Sequence, residues 1–445
     1  MQISVDLHSH SGYSGGVGKI ILGDIAETMC MKGIAVFGTG DCLHPGWNRH
    51  LRETLMESTA GIYELPNFPG TGFVLQNEMV LTAPLLPGSR NRKSVHMVFL
   101  YPSFQATDSV IKLLDKYGVK NTIGRPFVKL ESPVEVSRFL ENVMDAAPGT
   151  LAFPAHVMTP DGIYGSNNPI TYMEDFFGDF SGKIKLIETG LSADPEMLDR
   201  IPECRFMNFI SNSDCHSAAL NRIGRELTIL EVKTRDFFGI RAALTRKGGI
   251  QATYEFNPRE GKYFGTGHRK GKEGHSHESY RVKCGTDVPK HCPVCGKPLT
   301  IGVMDRVLEL AHTQSFSEKN EPPIRNFHHL VPLVEVIAAG LGQRSVTGKR
   351  VLSPYKMAIS QCGNEVALWE FPASELMKRL QSLPEQVVAC ILAVQAGHFT
   401  FDPPGYDGEY GKLKLEPFDS QENIKAGTDE AFQDGLYKSS QSSFR

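Results

Sequence analysis

No apolar run in this sequence reaches the roughly 20 residues needed to span a membrane. The first residues are polar and lack a secretory apolar region. A cytoplasmic protein with no membrane partner is therefore expected. A strong net charge is also missing, the formal value being −3. No global field favours nucleic acid or an anionic bilayer, so a DNA-binding role needs a local basic groove. An even disulfide framework is lacking too. The nine cysteines are odd in number and mostly scattered, which in a reducing compartment points to thiols or metal ligands. What remains is an ordinary globular composition, 40% hydrophobic and 22% charged. The 445 residues suffice for two or three domains. The fifteen histidines carry more information, because several fall at the ends of expected strands.

The stretch Asp6-Leu7-His8-Ser9-His10 closes a first apolar run that begins at Ile3. Residues i and i+2 of an extended segment face the same side, so both imidazoles can reach one ion. A small-residue loop, Ser11 to Gly18, follows and leaves room above them. Leu22 to Met31 reads as a helix stopped by Gly33. A second strand, from Ile34, delivers Asp41 at its end with His44 just beyond. Residues 48–61 read as an exposed helix. Strands 72–78, 95–100, 151–156, 183–188 and 207–214 follow, with helices near 110–117 and 134–145. This alternation predicts an α/β fold with a parallel sheet.

The polar residues of these strands are placed in a pattern. Asp41, Glu78, His156, Asp214 and His216 lie at or just past C-terminal strand ends, with His96 an exception near the start of its run. Active-site residues of β/α barrels occupy that face. On His8-Ser9-His10, Thr39-Gly40-Asp41, Glu78, His96, Pro154-Ala155-His156 and Ser213-Asp214-Cys215-His216, residues 1–250 resemble the PHP (polymerase and histidinol phosphatase) family. The resemblance implies a distorted seven-stranded (β/α) barrel holding two or three divalent ions. By its pattern His8, His10, Glu78 and Asp214 hold one ion, and Glu78 bridges to a second held by His96 and His156. His216, with Asp41 or His44, holds a third. Many family members place a histidine directly after the Asp41-like aspartate, whereas Cys42 stands here. Mixed imidazole and carboxylate donors suit Zn²⁺, Mn²⁺ or Fe²⁺, with Mg²⁺ a further candidate. Ions bridged at about 3.5–4 Å can activate a water and clamp phosphate oxygens. Phosphoester hydrolysis is the expected reaction, with Glu78, Asp214 and His216 as catalytic residues. Arg222 and Arg225 are candidate phosphate contacts, as are Arg92 and Lys93, although each such residue is more often a solvated surface group.

Past Gly248-Gly249 the composition changes to a Gly-, His- and Lys-rich stretch ending in Cys292-Pro293-Val294-Cys295-Gly296. Such a knuckle aims two thiolates at one ion and predicts a small zinc-binding module over 251–300. Cys284 is the nearest remaining thiol, with His268, His275, His277 and His291 as alternatives. With Gly296 to Val303 and Pro404 to Gly411, the chain is similar to the endonuclease Q group within the PHP family. That group nicks DNA 5′ of deaminated bases (uracil, hypoxanthine, xanthine) and abasic sites. Its members present a His and a Cys soon after a Gly-His-Arg-like stretch. Here Gly267-His268-Arg269 leads to Lys270-Gly271 without a nearby cysteine, so His268 and Cys284 are the preferred completing pair for one structural Zn.

Residues 301–417 are expected to form a mostly helical accessory domain. One helix spans 301–311, Pro322-Pro323 marks a linker, and a second helix begins at Pro332. Arg344, Lys349 and Arg350 form a basic cluster that either lines a DNA groove or is a solvated face. Residues 418–445 are polar and predict a disordered tail. The expected function is a metal-dependent endonuclease on DNA carrying deaminated bases or abasic sites, which would bring it to the nucleoid. A sliding clamp is a conceivable further partner, though no convincing short motif for one is present. One rival is a small-molecule phosphatase of the histidinol-phosphate type, which would need neither accessory module. The other is a non-enzymatic DNA-binding or scaffold protein with a decayed site, against which the near-complete ligand set argues.

Overall fold

The computed structural model describes residues 1–15, 17–315 and 323–415. Gly16, Pro322 and the polar tail expected from 418 lie outside the described residues. The first part of the chain runs β1 (Gln2–Asp6), α1 (Leu22–Lys32), β2 (Val36–Gly38), α2 (Pro45–Thr54), β3 (Met56–Thr59), β4 (Ile62–Glu64), β5 (Gly72–Pro84) and β6 (Arg92–Tyr101). It continues with α3 (Phe104–Lys116), β7 (Phe127–Lys129), α4 (Pro133–Ala146), β8 (Leu151–Pro154), α5 (Glu174–Phe177), β9 (Leu186–Glu188) and α6 (Pro195–Asp199). Then come β10 (Asn208–Ile210), β11 (Leu227–Glu231), α7 (Phe237–Thr245) and β12 (Ile250–Glu255).

The helices form where apolar residues recur at helical spacing and end where the backbone demands it. Helix α1 buries Leu22, Ile25, Ala26 and Met29, and Gly33 closes it in the left-handed region at φ 83°. Helix α4 starts on a Ser132 side chain that accepts from the Glu135 amide, with Pro133 at the first helical position. The helix expected over 48–61 is shorter. It ends at Thr54, and the chain turns into the antiparallel pair β3–β4.

The sheet is mixed rather than parallel, which corrects the expectation from alternation. Strands β1–β2 and β2–β5 pair in parallel. Pairs β5–β6, β6–β8, β1–β11 and β11–β12 are antiparallel. Eleven strands belong to this sheet, and β9–β10 form a separate parallel ladder. Strands β3, β4, β7, β11 and β12 were not marked by the apolar runs. Val5, Val36, Val74, Val98, Phe153, Leu186, Ile210 and Leu230, one from each of eight strands, meet in one buried cluster closed by Phe237, Ile240 and Leu244 of α7. Each such side chain contributes about 1.5–3 kcal/mol on burial.

The remainder comprises β13 (Gly267–His268), β14 (Tyr280–Arg281), α8 (Val303–Thr313), β15 (Phe327–His329), α9 (Leu333–Gly340) and α10 (Lys349–Cys362). It ends with α11 (Glu365–Glu370), α12 (Ala373–Arg379), α13 (Glu385–Gln395), β16 (Phe399–Phe401) and β17 (Leu413–Leu415). Strand β15 adds in parallel to β12, so the later chain lends a strand to the large sheet. The basic cluster after Gly342 leads into α10, which contains Pro354. No helix of the described residues is long and apolar enough to cross a membrane.

Candidate metal centre

Alternation along the first strand builds the centre. Ile3, Val5 and Leu7 face the apolar cluster. Asp6, His8 and His10 fall at the opposite parity and are buried. His8 Nε2 lies 3.8 Å from Glu78 Oε1, and His10 Nε2 lies 3.4 Å from Glu78 Oε2. A second group shares Glu78, whose Oε1 is 2.6 Å from His96 Nδ1 and 3.3 Å from His156 Nε2. A third shares His10, whose Nε2 is 3.2 Å from Asp214 Oδ1, with His216 Nδ1 3.9 Å from that oxygen. Within each triad the donor atoms lie inside 4.8 Å of one another. Seven residues foreseen as ligands thus converge.

Glu78 and His96 do not sit at strand ends. Strand β5 runs on to Pro84, and β6 pairs with it antiparallel, with Val80 opposite His96 and Glu78 opposite Val98. Because β6 returns along β5, a histidine early in its run meets a glutamate midway along β5. That accounts for the exceptional placement of His96.

The donor set fits divalent ions. His8 Nε2 is buried without a hydrogen-bond partner, 3.7 Å from Asp214 Oδ1 and 3.8 Å from Glu78 Oε1. An orphaned buried polar atom costs about 1–3 kcal/mol unless a bound group satisfies it. Burial opposes the charge on Glu78, but His96, His156 and His10 outweigh it and hold the carboxyl well below its usual range. Burial likewise opposes the His8 imidazolium, and Glu188, Asp214 and Glu78 raise it to about 9.

Asp41 and His44 take other places than those expected. Asp41 Oδ1 sits 3.4 Å from His10 Nδ1, and Oδ2 accepts from Ser11 N at 2.7 Å and Ser11 Oγ at 2.6 Å. It aims the His10 ring from behind instead of joining a triad. His44 caps α2 by accepting from Trp47 N and packs on the Tyr13 ring at 4.3 Å. Of the two, the His44-Pro45 pair carried a helix-start signal that competes with ligation. Arg225 donates to Ser213 O, and Arg222 is exposed. Arg92 donates to the carbonyls of Thr82 and Leu130, and Lys93 is buried on Gly165 O and Asn167 O. Arg92 and Lys93 are thus engaged with the backbone rather than presented to a phosphate.

Residues not expected at the site hold the ligands in place. Glu188 accepts from His8 Nδ1 at 3.0 Å, from Asn212 Nδ2 at 2.7 Å and from the His156 amide at 2.8 Å. Gln76 Oε1 accepts from Ser9 N and Gly40 N, pinning two loops together. Asp41, His156 and Asp214 adopt positive φ of 41°, 29° and 45°. Such strain costs of order 1–3 kcal/mol each and persists where surroundings over-determine it. Gly190 shows the constraint, since a Cβ there would lie 2.4 Å from His156 Cβ. Glu188→Gln is expected to weaken ion binding in the centre about 10–100-fold, checked by competition with a chromogenic chelator. Unchanged affinity would remove Glu188 from this role.

A second cluster lies after β12. Cys292, Cys295, His268 and His275 form a group that could hold a metal. His275 Nε2 is 3.2 Å from Cys292 Sγ, and His268 Nδ1 is 3.4 Å from Cys295 Sγ. The opposite ring nitrogens meet the carbonyls of Glu278 and Pro298, as ligating histidines commonly do. This replaces Cys284, which packs against the hydrophobic core outside the group. The turn between the two histidines folds back, with Gly271 N donating to His275 O at 2.7 Å. Asp407 fastens that turn through Arg269 N at 2.8 Å and Lys272 Nζ at 2.6 Å, which gives the Pro404–Gly411 segment a structural meaning.

No established family profile matches the chain. The lesion-specific endonuclease PfuEndoQ from Pyrococcus furiosus is similar over 98% of this chain and 99% of its own, at 30% identity and a TM-score of 0.77. An Endonuclease Q complex with a 27-mer duplex bearing an abasic lesion at the active site is similar over 97% of this chain and 100% of that one, at 29% identity and TM-score 0.76. The uncharacterized protein MJ0043 of Methanocaldococcus jannaschii is 32% identical over 246 residues. The chain covers 54% of itself in that match and spans 29% of this relative, and it spans 61% of a further curated relative. With full-length similarity at 30% identity to a solved member, the chain belongs to the endonuclease Q family.

Proposed function

We propose that this chain is a metal-dependent DNA endonuclease that hydrolyses the phosphodiester 5′ of a deaminated base or an abasic site. The observation that carries the reading is the convergence of three donor triads sharing Glu78 and His10. The lesion duplex seated on a related protein supports DNA as the substrate. When bound, divalent ions supply Lewis acidity toward the phosphate oxygens and toward the attacking water. Glu78 joins two of the triads and keeps its carboxylate ionised. Asp214 and His216 face the open side, His216 with 48% of its side chain exposed, and would meet the substrate backbone. Asp41 and Glu188 orient His10 and His8. A target base would have to leave the stack, because its Watson–Crick edge is otherwise hidden.

The remaining parts fit a duplex substrate better than a small ester. Arg344, Lys349 and Arg350 are exposed around the start of α10, where the helix dipole disfavours cations and favours a phosphate. Residues 1–250 would form the catalytic part, 251–300 the zinc module and 301–417 the accessory part. The eight strands that share one apolar cluster are read as a distorted barrel. Val157 N to Glu188 O and Ser211 N to Thr228 Oγ1 bridge the gaps on either side of β9–β10. A sliding clamp is not needed for this reading. The test is incubation with Mn²⁺, Mg²⁺ or Zn²⁺ and labelled duplexes bearing uracil, hypoxanthine, an abasic site or no lesion. Nicks 5′ of the lesion and none in the undamaged duplex are expected. Intact duplexes alongside rapid phosphate release from small monoesters would reverse the choice in favour of a phosphatase.

The His268, His275, Cys292 and Cys295 group would hold one structural Zn²⁺. His275→Ala is expected to release one zinc equivalent, whereas Cys284→Ser keeps it. Elemental analysis of the two purified variants decides, and the reverse pattern would restore Cys284 as the ligand.

A further inference from the structure

We infer that Arg125 is the residue that grips the scissile phosphate, an inference that rests on the endonuclease reading. Its loop, between α3 and β7, is built against the metal centre at several points. The Gly124 amide donates to Tyr13 O at 2.9 Å, and Val80 N donates to Pro126 O at 2.9 Å. Between them Gly124 presses on the ligand-orienting aspartate: a Cβ there would lie 2.4 Å from Asp41 Cγ and 2.6 Å from Asp41 Oδ2. Only glycine admits that approach. The approach carries the next side chain, Arg125, to the ligands, where Nη1 donates to Glu78 Oε2 at 3.2 Å.

The chemistry distinguishes this arginine from a counter-ion. Glu78 is fully buried, but 35% of the Arg125 side chain is exposed, so the guanidinium sits at the mouth of the centre. A guanidinium offers five N–H donors in a fork matched to phosphate oxygens. One goes to Glu78, which fixes the direction of the fork. Arg125 makes the one arginine or lysine ion pair to the three triads found among the described residues. A phosphodiester entering beside Glu78 would present its non-bridging oxygens to that fork.

The test uses the full chain with Ca²⁺ added to hold back cleavage. The probe is a labelled duplex with a tetrahydrofuran abasic analogue, bearing either the ordinary phosphate or a neutral methylphosphonate 5′ of it. Neutralising that phosphate should cost the wild type about tenfold in affinity or more. Arg125→Ala should already have lost about that much on the ordinary phosphate and show a clearly smaller methylphosphonate penalty than the wild type, the remainder being the share of the bound ions, with ion content and Tm unchanged. An equal methylphosphonate penalty in both proteins would overturn the assignment, as would loss of bound ions in the variant. A second arm uses bis(4-nitrophenyl) phosphate. Arg125→Ala should fall about a hundredfold in kcat/KM and recover in part with added guanidinium. If the wild type hydrolyses this ester but never nicks a lesion duplex, the endonuclease reading fails while the second arm still judges Arg125. No fall in that arm refutes the phosphate grip.

Discussion

Glu78→Gln is expected to strip the centre of most of its ions and to lower cleavage by about 10³-fold or more. The substitution keeps the shape and removes the charge. Glu78 reaches four imidazoles, at 2.6 Å from His96, 3.3 Å from His156, 3.4 Å from His10 and 3.8 Å from His8. It belongs to two of the triads, so its loss disturbs two positions at once. An amide oxygen is a poorer donor to a divalent cation than a carboxylate and cannot offset ionic charge. Several kcal/mol of charge stabilisation are then lost, and each 1.36 kcal/mol is a factor of ten in rate. The metal-free fold should also respond to pH. The carboxyl is held well below its usual range, so its stabilisation is present above the unfolded value near 4.5 and disappears as pH falls through the folded one. The Gln variant should lack that acid-limb dependence. Elemental analysis and single-turnover nicking check the first expectation, and urea titrations at several pH values the second. A variant with full ion content and wild-type cleavage would show that Glu78 is no ligand.

Much of this centre could be read from the sequence because its ligands obey local rules. His8 and His10 share a side through the period of two, and Asp214 and His216 lie shortly past β10, which ends at Ile210. His96 fitted poorly only because β6 was taken as parallel, and its antiparallel return along β5 removes the difficulty. The partners behind the ligands are harder to read: Glu188 closes β9 as ligands close their strands, but nothing local pairs it with His8. Glu188 reaches His8 across 180 residues, and Asn212 reaches Leu7 across 205. Tertiary folding alone brings them together. Asp41 was recognised, but whether it ligates or orients depends on a ring rotation that the sequence does not encode. His275 was one of several candidates, and a turn through Gly271 selected it. Arg125 was missed because a lone arginine after Thr-Ile-Gly resembles any loop residue. The contact of Gly124 with Asp41 and the ion pair of Arg125 with Glu78 set it apart, and both arise only in the fold.

Lys32→Met is expected to destabilise the whole chain by about 3–5 kcal/mol, far more than any surface ion pair here. Lys32 closes α1 and is 1% exposed. Its ammonium lies 2.9 Å from both carboxylate oxygens of Glu365 in α11. Glu365 also accepts from Leu333 N at 2.9 Å and from Tyr355 Oη at 3.0 Å. One buried carboxylate therefore joins α1 to the starts of α9 and α11 and to α10. Removing the lysine leaves that charge buried with two neutral donors, the situation in which breaking a buried pair costs about 3–5 kcal/mol. The exposed Arg52–Asp108 pair, at 2.6 Å, is shorter yet should be worth about 1 kcal/mol or less, because water screens both groups. The pair and its absence are not symmetric. In Lys32→Met with Glu365→Gln neither charge is left, while the amide oxygen can still accept from Leu333 N and the amide NH2 can donate to the Tyr355 hydroxyl. The double variant should regain most of the lost stability. Urea unfolding of the two single variants and the double gives the coupling directly. Additive losses would mean that the two side chains act independently, and the link between α1 and the later helices would then have to rest on apolar packing alone.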